Sequence, residues 1–288
     1  MVKFEKGQFS LPWPRLGAIV GEEELDAVTK VLRESIENRK SLQGKAKVEE
    51  FERKFADYVG AKHAIAVSSC GTALVICSKV LGIREGDEVI TTPNTHVSTA
   101  TSVMELGGRP VFADIDPHTF NLDPVKVEEK VTPRTKAIYP VHYAGQPVDM
   151  DSIMDIAKRH SLSVVEDAAH ATGAEYKGRR IGTIGHLTCF SFQTQKNMTT
   201  LGEGGMITTN HADLAEKTRR LRNFGVERFK GQKRYWEPWH YNIVDVATNF
   251  RMTEVQAAFG EVQLGKLDWM NELRREKARY LTQILRNI

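Results

Sequence analysis

A single lysine marks the place where this sequence concentrates groups that could do chemistry. Lys196 follows an apolar run that ends at Phe192, and three glycines come soon after it, at Gly202, Gly204 and Gly205. A lysine placed at the end of a buried strand can present its amine as a nucleophile to a carbonyl group. An ordinary surface lysine is the alternative, so the rest of the chain must decide between the two.

Other polar groups follow other apolar runs. Asp167 ends the run that starts at Leu162, and burying its carboxylate would be costly without a partner. The stretch 68–73, SSCGTA, leads directly into a helical pattern, so its N–H groups could cradle an anion. The alternatives are a helix cap by Asp167 and a plain Ser or Thr cap before residue 72. His96 follows the second run, where a surface position beside a Thr95 cap is the alternative.

These groups belong together if the strands are parallel, because the carboxyl ends of such strands meet at one edge of the sheet. They would supply an anion cradle, the Asp167 carboxylate, the Ser191 hydroxyl and the Lys196 amine. Pyridoxal 5′-phosphate needs this set: a lysine for its aldehyde, an acid for its ring nitrogen and donors for its phosphate. Neither a GxGxxG nor a GxxxxGK[ST] motif occurs, which disfavours a Rossmann dehydrogenase or a P-loop enzyme.

The elements that must position these residues alternate along the chain. Short, nearly continuous apolar runs predict strands buried on both faces of a mainly parallel sheet. Helical patterns lie between them and predict an α/β sandwich of layers. The predicted strands are 63–69, 87–93, 109–116, 136–145, 162–170, 186–192 and 205–210. The predicted helices between them are 72–82, 95–107, 149–160 and 212–223.

Three further segments frame this core. Helices are predicted to begin near Glu22 and Lys47, after a proline-rich start. Residues 226–250 form an excursion rich in aromatic and charged residues. A helix resumes at Thr253, and a charged amphipathic helix is predicted from about 266 to the end. We expect residues 1–250 to form a large domain and 251–288 to be the start of a smaller C-terminal domain that is cut short.

Composition excludes several other classes of protein. The net charge of the 288 residues is only +3, which argues against a nucleic-acid surface. The three cysteines form no CxxC pair, so we expect no metal site and no disulfide framework. No apolar signal-peptide core occurs near the N-terminus, and no apolar run approaches about 20 residues. A cytoplasmic enzyme without a membrane partner is therefore expected.

The chain resembles the DegT/DnrJ/EryC1/StrS aminotransferases, a branch of the fold-type I pyridoxal-phosphate enzymes that aminate keto sugars and cyclitols. The similarity runs from Gly21 to the final helix. The segments that carry it are GTA (71–73), LGIREGDEVITTP (81–93), PVFADID (110–116), PVHYAGQPVDMD (140–151), VEDAAH (165–170), FSFQTQKN (190–197), GEGG (202–205) and NFRMTEVQAA (249–258). The resemblance implies an aspartate-aminotransferase-like three-layer sandwich.

The resemblance also implies a role for each matching residue. Lys196 would form the Schiff base, Asp167 would pair with the pyridine nitrogen, and His170 would approach the ring hydroxyl. His96 stands where the family usually stacks an aromatic ring on the cofactor. The implied phosphate ligands are Gly71, Thr72, Ala73, Ser191 and, donated to the neighbouring subunit of a homodimer, Asn249.

The resulting prediction is a pyridoxal-phosphate aminotransferase that moves an amino group from glutamate or glutamine to a keto sugar or keto-cyclitol. Two alternatives stay open. The sugar dehydratase branch of the same family carries a histidine in place of the Schiff-base lysine, whereas this chain has Lys196. A non-catalytic or regulatory homologue is the other alternative.

Overall fold

Seven strands form a central sheet in the computed structural model, which describes residues 17–227 and 241–286. The strands of the described residues, including four outside this sheet, are β1 (His63–Val67), β2 (Glu88–Thr91), β3 (Arg109–Phe112), β4 (Thr135–Tyr139), β5 (Ser163–Asp167), β6 (Glu175–Tyr176), β7 (Arg179–Arg180), β8 (Leu187–Ser191), β9 (Gly205–Thr209), β10 (Val226–Glu227) and β11 (Asn242–Ile243). The pairs β6–β7 and β10–β11 are separate small hairpins. The other seven strands are those that the sequence predicted, each a little shorter than expected.

The central sheet has the order β1-β9-β8-β5-β4-β2-β3. Its strands are parallel except β9, which runs antiparallel to both β1 and β8. The prediction of a mainly parallel α/β fold is therefore confirmed. Because β9 is reversed, its first residue, Gly205, lies beside the last residues of its neighbours, Val67 and Ser191.

Burial follows the position of each strand in the sheet. Every residue of β2, β8 and β9 is buried, in keeping with their continuous apolar runs. The expectation of burial on both faces is wrong for β3, which exposes Arg109 and Phe112. The strand lies at the sheet edge, where Pro110 removes one ladder donor and is tolerated.

Helices cover both faces of the sheet. They are α1 (Glu22–Asn38), α2 (Ala46–Val59), α3 (Cys70–Val80), α4 (Ser98–Met104), α5 (Pro124–Lys130), α6 (Met150–His160), α7 (Ala212–Leu221) and α8 (Glu254–Leu285), with a 3₁₀ turn at Tyr143–Gly145. On one face, Phe51 and Phe55 of α2 pack against Phe190 and Phe192, and all four are fully buried. Loss of one such ring costs about 3–5 kcal/mol, so this cluster fixes β8 firmly.

The helices differ from the sequence prediction in two places. No helix was predicted at α5, although Asp123 accepts from Val125 as its N-cap and Pro124 opens it. The two helices predicted after Thr253 are one continuous helix, α8. Its first half packs on α1 and α2 and is largely buried to Asn271, whereas most of its second half is exposed.

Two sequence features fall outside the described residues: the proline-rich start at 1–16 and residues 228–240 of the aromatic excursion. Within the described ranges, no helix combines the length and the apolar character that crossing a membrane requires.

Candidate active site

A cavity of about 440 Å³ opens at the carboxyl ends of the parallel strands. This volume lies in the usual range for small-molecule sites. The residues that line it are Ser69, Cys70, Gly71, Thr95, His96, Ser98, Val141, Asp167, Ala169, His170, Ser191, Gln193, Gln195, Lys196 and Glu203. Those that the sequence predicted are Gly71, His96, Asp167, His170, Ser191 and Lys196.

The start of α3 forms one wall of the cavity. Ser69 is its N-cap: the Thr72 N–H donates to Ser69 Oγ, and the Ser69 N–H donates to Thr72 Oγ1, each over 3.1 Å. Cys70 and Gly71 follow, and a helix leaves the N–H groups of its first turn without intrahelical acceptors. These groups and the positive end of the helix dipole make this wall suited to an anion. We call this start of α3, residues 69–71, the anion wall.

Thr72 and Ala73 lie behind that wall. The Thr72 hydroxyl is engaged with Ser69 and Ser68, and the Ala73 N–H donates to the Ser69 carbonyl at 3.0 Å. Ala73 is fully buried. The Ser69 cap and the cavity wall are thus features of the same turn, and the predicted roles of Thr72 and Ala73 as phosphate ligands stay predictions.

Asp167 ends β5, and the residue is 97% buried. Its Oδ2 accepts a hydrogen bond of 2.7 Å from the Thr99 hydroxyl, and its Oδ1 accepts one of 3.1 Å from the Ala169 N–H. The second contact is the local turn that the capping alternative implies. Both donors are neutral, so a cationic group in the cavity would stabilise this buried carboxylate further.

Lys196 lies in the loop between β8 and β9, partly buried and on the cavity wall. The loop is held by hydrogen bonds from the Lys196 N–H to the Gln193 carbonyl at 2.9 Å and from the Thr194 N–H to the Gly202 carbonyl at 3.0 Å. A flexible side chain on a fixed loop can reach a carbonyl group in the cavity.

His170 faces the cavity in a defined tautomer. Its Nδ1 accepts from the Ala144 N–H at 3.3 Å, so the neutral ring carries its proton on Nε2. Burial and the nearby Lys196 charge lower the pKa of His170, which favours that neutral form. His96 is exposed at the cavity rim, and its Nδ1 lies 2.9 Å from Ser98 Oγ.

Asn249 lies outside this cavity wall. Its side chain is exposed, and its backbone is bridged to Asn223. The next residue, Phe250, accepts from the Ser68 N–H at 2.9 Å, so this segment runs beside the start of the anion wall. The contribution of Asn249 to a neighbouring subunit stays a prediction.

The glycines after Lys196 allow backbones to approach closely. A Cβ on Gly205 would lie 2.6 Å from the Ser69 carbonyl, and one on Gly204 would lie 1.9 Å from Thr200 Oγ1. Gly205 therefore lets the first residue of β9 lie against the N-cap of α3. The glycine pair builds the anion wall without contributing a side chain to it.

Sequence reasoning missed some residues of the site. Thr99 was inside a predicted helix, one turn after Thr95, and its hydroxyl is in fact 2.8 Å from that of Thr95. The spacing of four was the available signal, because residues i and i+4 share a helix face. Gln193, Gln195 and Glu203 also line the cavity, but polar loop residues of this kind carry no periodic signal.

The donor set fits the cofactor that the sequence suggested. The cavity brings together helix N–H groups for an anion, a buried carboxylate held by two neutral donors, and a primary amine. Together these can bind a phosphorylated heteroaromatic aldehyde at both ends. Metal-binding groups of three or more His, Cys, Asp or Glu side chains do not occur within the described ranges.

Comparison with known proteins gives a family match and several similar proteins. The model of the DegT/DnrJ/EryC1/StrS aminotransferase family matches residues 19–288. The spore coat polysaccharide biosynthesis protein SpsC of Bacillus subtilis is 47% identical over 95% of this chain and 68% of its own length. GDP-perosamine synthase of Caulobacter vibrioides is 51% identical over 76% of this chain and 56% of its own length.

A solved aminotransferase from Psychrobacter cryohalolentis superposes with a TM-score of 0.80 at 40% identity. The match covers 88% of this chain and 63% of that one. The chain thus spans between half and about two thirds of the length of these similar proteins.

Proposed function

The chain belongs to the DegT/DnrJ/EryC1/StrS aminotransferase family, and we propose that it transfers an amino group to a keto sugar or keto-cyclitol. Glutamate or glutamine would be the donor and pyridoxal 5′-phosphate the cofactor. The carrying observation is that Lys196, Asp167 and the start of α3 line one cavity. The name of the 51% identical GDP-perosamine synthase supports a nucleotide-linked sugar as acceptor.

Each wall of the cavity would hold one end of the cofactor. The first-turn N–H groups of α3 and the Ser191 hydroxyl would bind the phosphate. The Asp167 carboxylate would bind the protonated ring nitrogen, and the His170 Nε2–H would donate to the ring hydroxyl. When bound, pyridoxal phosphate supplies an electron sink for a carbanion.

Lys196 would then carry the proton. Its amine would hold the cofactor through the aldehyde and, once the donor amine takes its place, would be free to act as a general base and acid. The Lys196 Nζ would take up the proton released by the donor and return it during the transfer. The same residue would serve in the opposite direction when the keto sugar takes the amino group.

The same observations give less support to the two alternative functions, a sugar dehydratase and a non-catalytic homologue. A dehydratase of this family would lack the lysine, whereas Lys196 lines the cavity. A non-catalytic homologue would have no need of a buried carboxylate, an amine and an anion wall around one space.

The test begins with borohydride reduction of purified protein loaded with pyridoxal phosphate, followed by peptide mapping. We expect the reduced adduct on Lys196, and glutamate-dependent or glutamine-dependent amination in a screen of nucleotide-linked keto sugars and scyllo-inosose. An adduct on another lysine would remove Lys196 from this role. Protein that binds no cofactor would overturn the proposed activity as a whole.

A further inference from the structure

We propose that Arg274 and Asn271 of α8 are positioning residues that latch the loop carrying Lys196. The proposal rests on the proposed function, because that function gives Lys196 its bond to the cofactor. Neither residue is among those that line the cavity. They would act on the reacting amine through the backbone on either side of it.

Arg274 contacts the loop directly. Its guanidinium donates to the Asn197 carbonyl at 3.4 Å and to the Gly17 carbonyl, and it donates to Asn271 Oδ1 at 3.3 Å. These acceptors are uncharged, and burial lowers the pKa of Arg274 from its ordinary value. Nη2 donates to both carbonyls and Nη1 donates to Asn271, so the planar fork reaches three acceptors in a geometry that a lysine does not reproduce.

Asn271 joins the loop to a second part of the site. Its Oδ1 accepts from Asn197 Nδ2 at 3.1 Å, and its own Nδ2 donates to the Thr172 carbonyl at 3.1 Å. The Arg274 contact fixes this orientation, because a reversed amide would set two donors against each other. Thr172 follows His170 by two residues, so Asn271 holds both segments to α8.

Gly17 completes the latch on the other side of the loop. Its N–H donates to the Thr194 carbonyl at 2.8 Å. A Cβ at Gly17 would lie 2.2 Å from the Gln195 carbonyl oxygen, so the two backbones are in close contact. The backbone is thus fixed from outside the cavity at Thr194 and Asn197, immediately around Lys196.

The latch matters because the lysine must return to the same point in each half of the reaction. A loop held at both ends keeps the amine at a high effective concentration next to the reacting carbon. A general structural role for α8 is the competing explanation. That role already has other contacts, such as Lys266 with Glu23 and Glu24 and Tyr58 with Asp268.

Hydrogen exchange on the cofactor-free protein separates the two explanations. The variants are Arg274→Met, Arg274→Lys as a milder change, and Arg275→Met as a matched control. Arg275 is the next residue of α8, is exposed, and donates to Glu272 at the surface over 3.1 Å. In Arg274→Met we expect amides of residues 193–203 to exchange about tenfold faster, since the loop loses bonds to a charged donor.

Arg274→Lys should raise the exchange rate of these amides by less than Arg274→Met does, and Arg275→Met should leave it unchanged. Exchange in 193–203 that does not change in Arg274→Met, or an increase shared equally by all peptides, would overturn the latch.

A second measurement follows the rate at which the visible absorbance of the lysine–cofactor adduct appears after pyridoxal phosphate is added. We expect Arg274→Met to slow it about tenfold, with Arg275→Met unchanged. An unchanged rate despite faster loop exchange would also overturn the positioning role. If no adduct forms on wild-type Lys196, the proposed function fails instead, and the exchange result on the loop still stands by itself.

Discussion

At the scale of single residues, Asp167 shows how one side chain serves structure and chemistry together. It accepts from Ala169 as a turn residue would, and it also accepts from Thr99 while almost fully buried. A cap needs only the first contact, and caps of this kind work well when exposed to water. The second contact and the burial are what suit the carboxylate to a cationic ring nitrogen.

Asp167→Asn should retain the shape of the site and lose the charge. We expect cofactor binding to persist and turnover to fall roughly 10²–10³-fold, because the ring nitrogen would lose the anionic partner that keeps it protonated and electron-withdrawing. The control is Asp149→Asn, which alters a helix cap on α6 away from the cavity and should leave turnover unchanged. Equal turnover in the Asp167 variant and wild type would reduce Asp167 to a turn residue.

Thr99→Val should act through Asp167. The change keeps the branched shape but removes a 2.7 Å hydrogen bond to a carboxylate, so the carboxylate is no longer held in place. We expect turnover to fall about tenfold, in line with the value of a hydrogen bond to a charged group. Thr99→Ser should restore most of it, and steady-state kinetics of the three proteins decide the matter.

At the residue scale, the sequence located the polar groups that follow apolar runs, while their roles stay predictions. Lys196 and Asp167 stand at the ends of apolar runs, and the structure brings both to one cavity. Thr99 could not be found in this way, because its importance comes from a contact over 68 positions of sequence. Its spacing of four from Thr95 was a local signal, but that spacing does not point to Asp167.

At the scale of elements, the close contact between β9 and α3 depends on Gly205. Gly205→Ala would place a methyl group 2.6 Å from the Ser69 backbone, so the N-cap of α3 must shift. We expect affinity for pyridoxal phosphate to fall at least about tenfold, because the anion wall moves with the cap. Titration of cofactor absorbance measures this.

The control for that change is Gly265→Ala on α8, where a Cβ has nothing within 4 Å. It should leave affinity unchanged and stabilise the helix by up to about 1 kcal/mol. The same loss of affinity in both variants would contradict the role given to Gly205.

A buried, hydrogen-bonded pair, His142 and Glu166, supports β5 on the face of the sheet opposite the Asp167 side chain. His142 accepts from the Val148 N–H at Nδ1, so its Nε2–H donates to Glu166 over 2.9 Å. Burial alone would raise the pKa of Glu166, but His142, the Gly185 N–H and the Thr188 hydroxyl together hold it below its usual value.

The lowered pKa gives a stability that depends on pH. Glu166 stabilises the fold above its unfolded pKa of about 4.3, and this contribution is lost as pH falls through the lower folded value. At pH 7, Glu166→Gln should cost about 3 kcal/mol in the free energy of unfolding. The difference from wild type should shrink below about pH 4.

Denaturant unfolding at several pH values tests this, with the exposed Glu37→Gln on α1 as the control. A difference that does not change with pH would show that the pKa of Glu166 is the same in the folded and unfolded states.

Element prediction depended on the strength of the periodic signal. All seven central strands were found: six are largely buried and give nearly continuous apolar runs, and the edge strand β3 still carries the short apolar run PVF. The helix α5 was missed because its only aliphatic side chains, Val125 and Val127, are spaced by two, which is not a helical period. The continuity of α8 was missed because its apolar face changes at Asn271, from contact with α1 and α2 to solvent, while the backbone continues unbroken.

At the scale of the whole molecule, the sequence predicts an active site that two subunits share. Asn249 is exposed and outside the cavity wall, yet it belongs to a segment fixed beside Ser68 by the Phe250 carbonyl. The predicted domain boundary at 251 also stays a prediction. A homodimer would give Asn249 a phosphate to bind in the neighbouring subunit.

Mixing of two defective variants tests that arrangement. In a hybrid of Lys196→Ala with Asn249→Ala, one site would carry both defects and the other would be intact. Random exchange at equal amounts should therefore restore about a quarter of wild-type activity, because half the dimers are hybrids with one good site each. The control mixes Lys196→Ala with Asp167→Asn; both defects lie in their own subunit's pocket, so no site is restored. If subunits exchange and the first mixture gains nothing over this control, each chain builds its site alone.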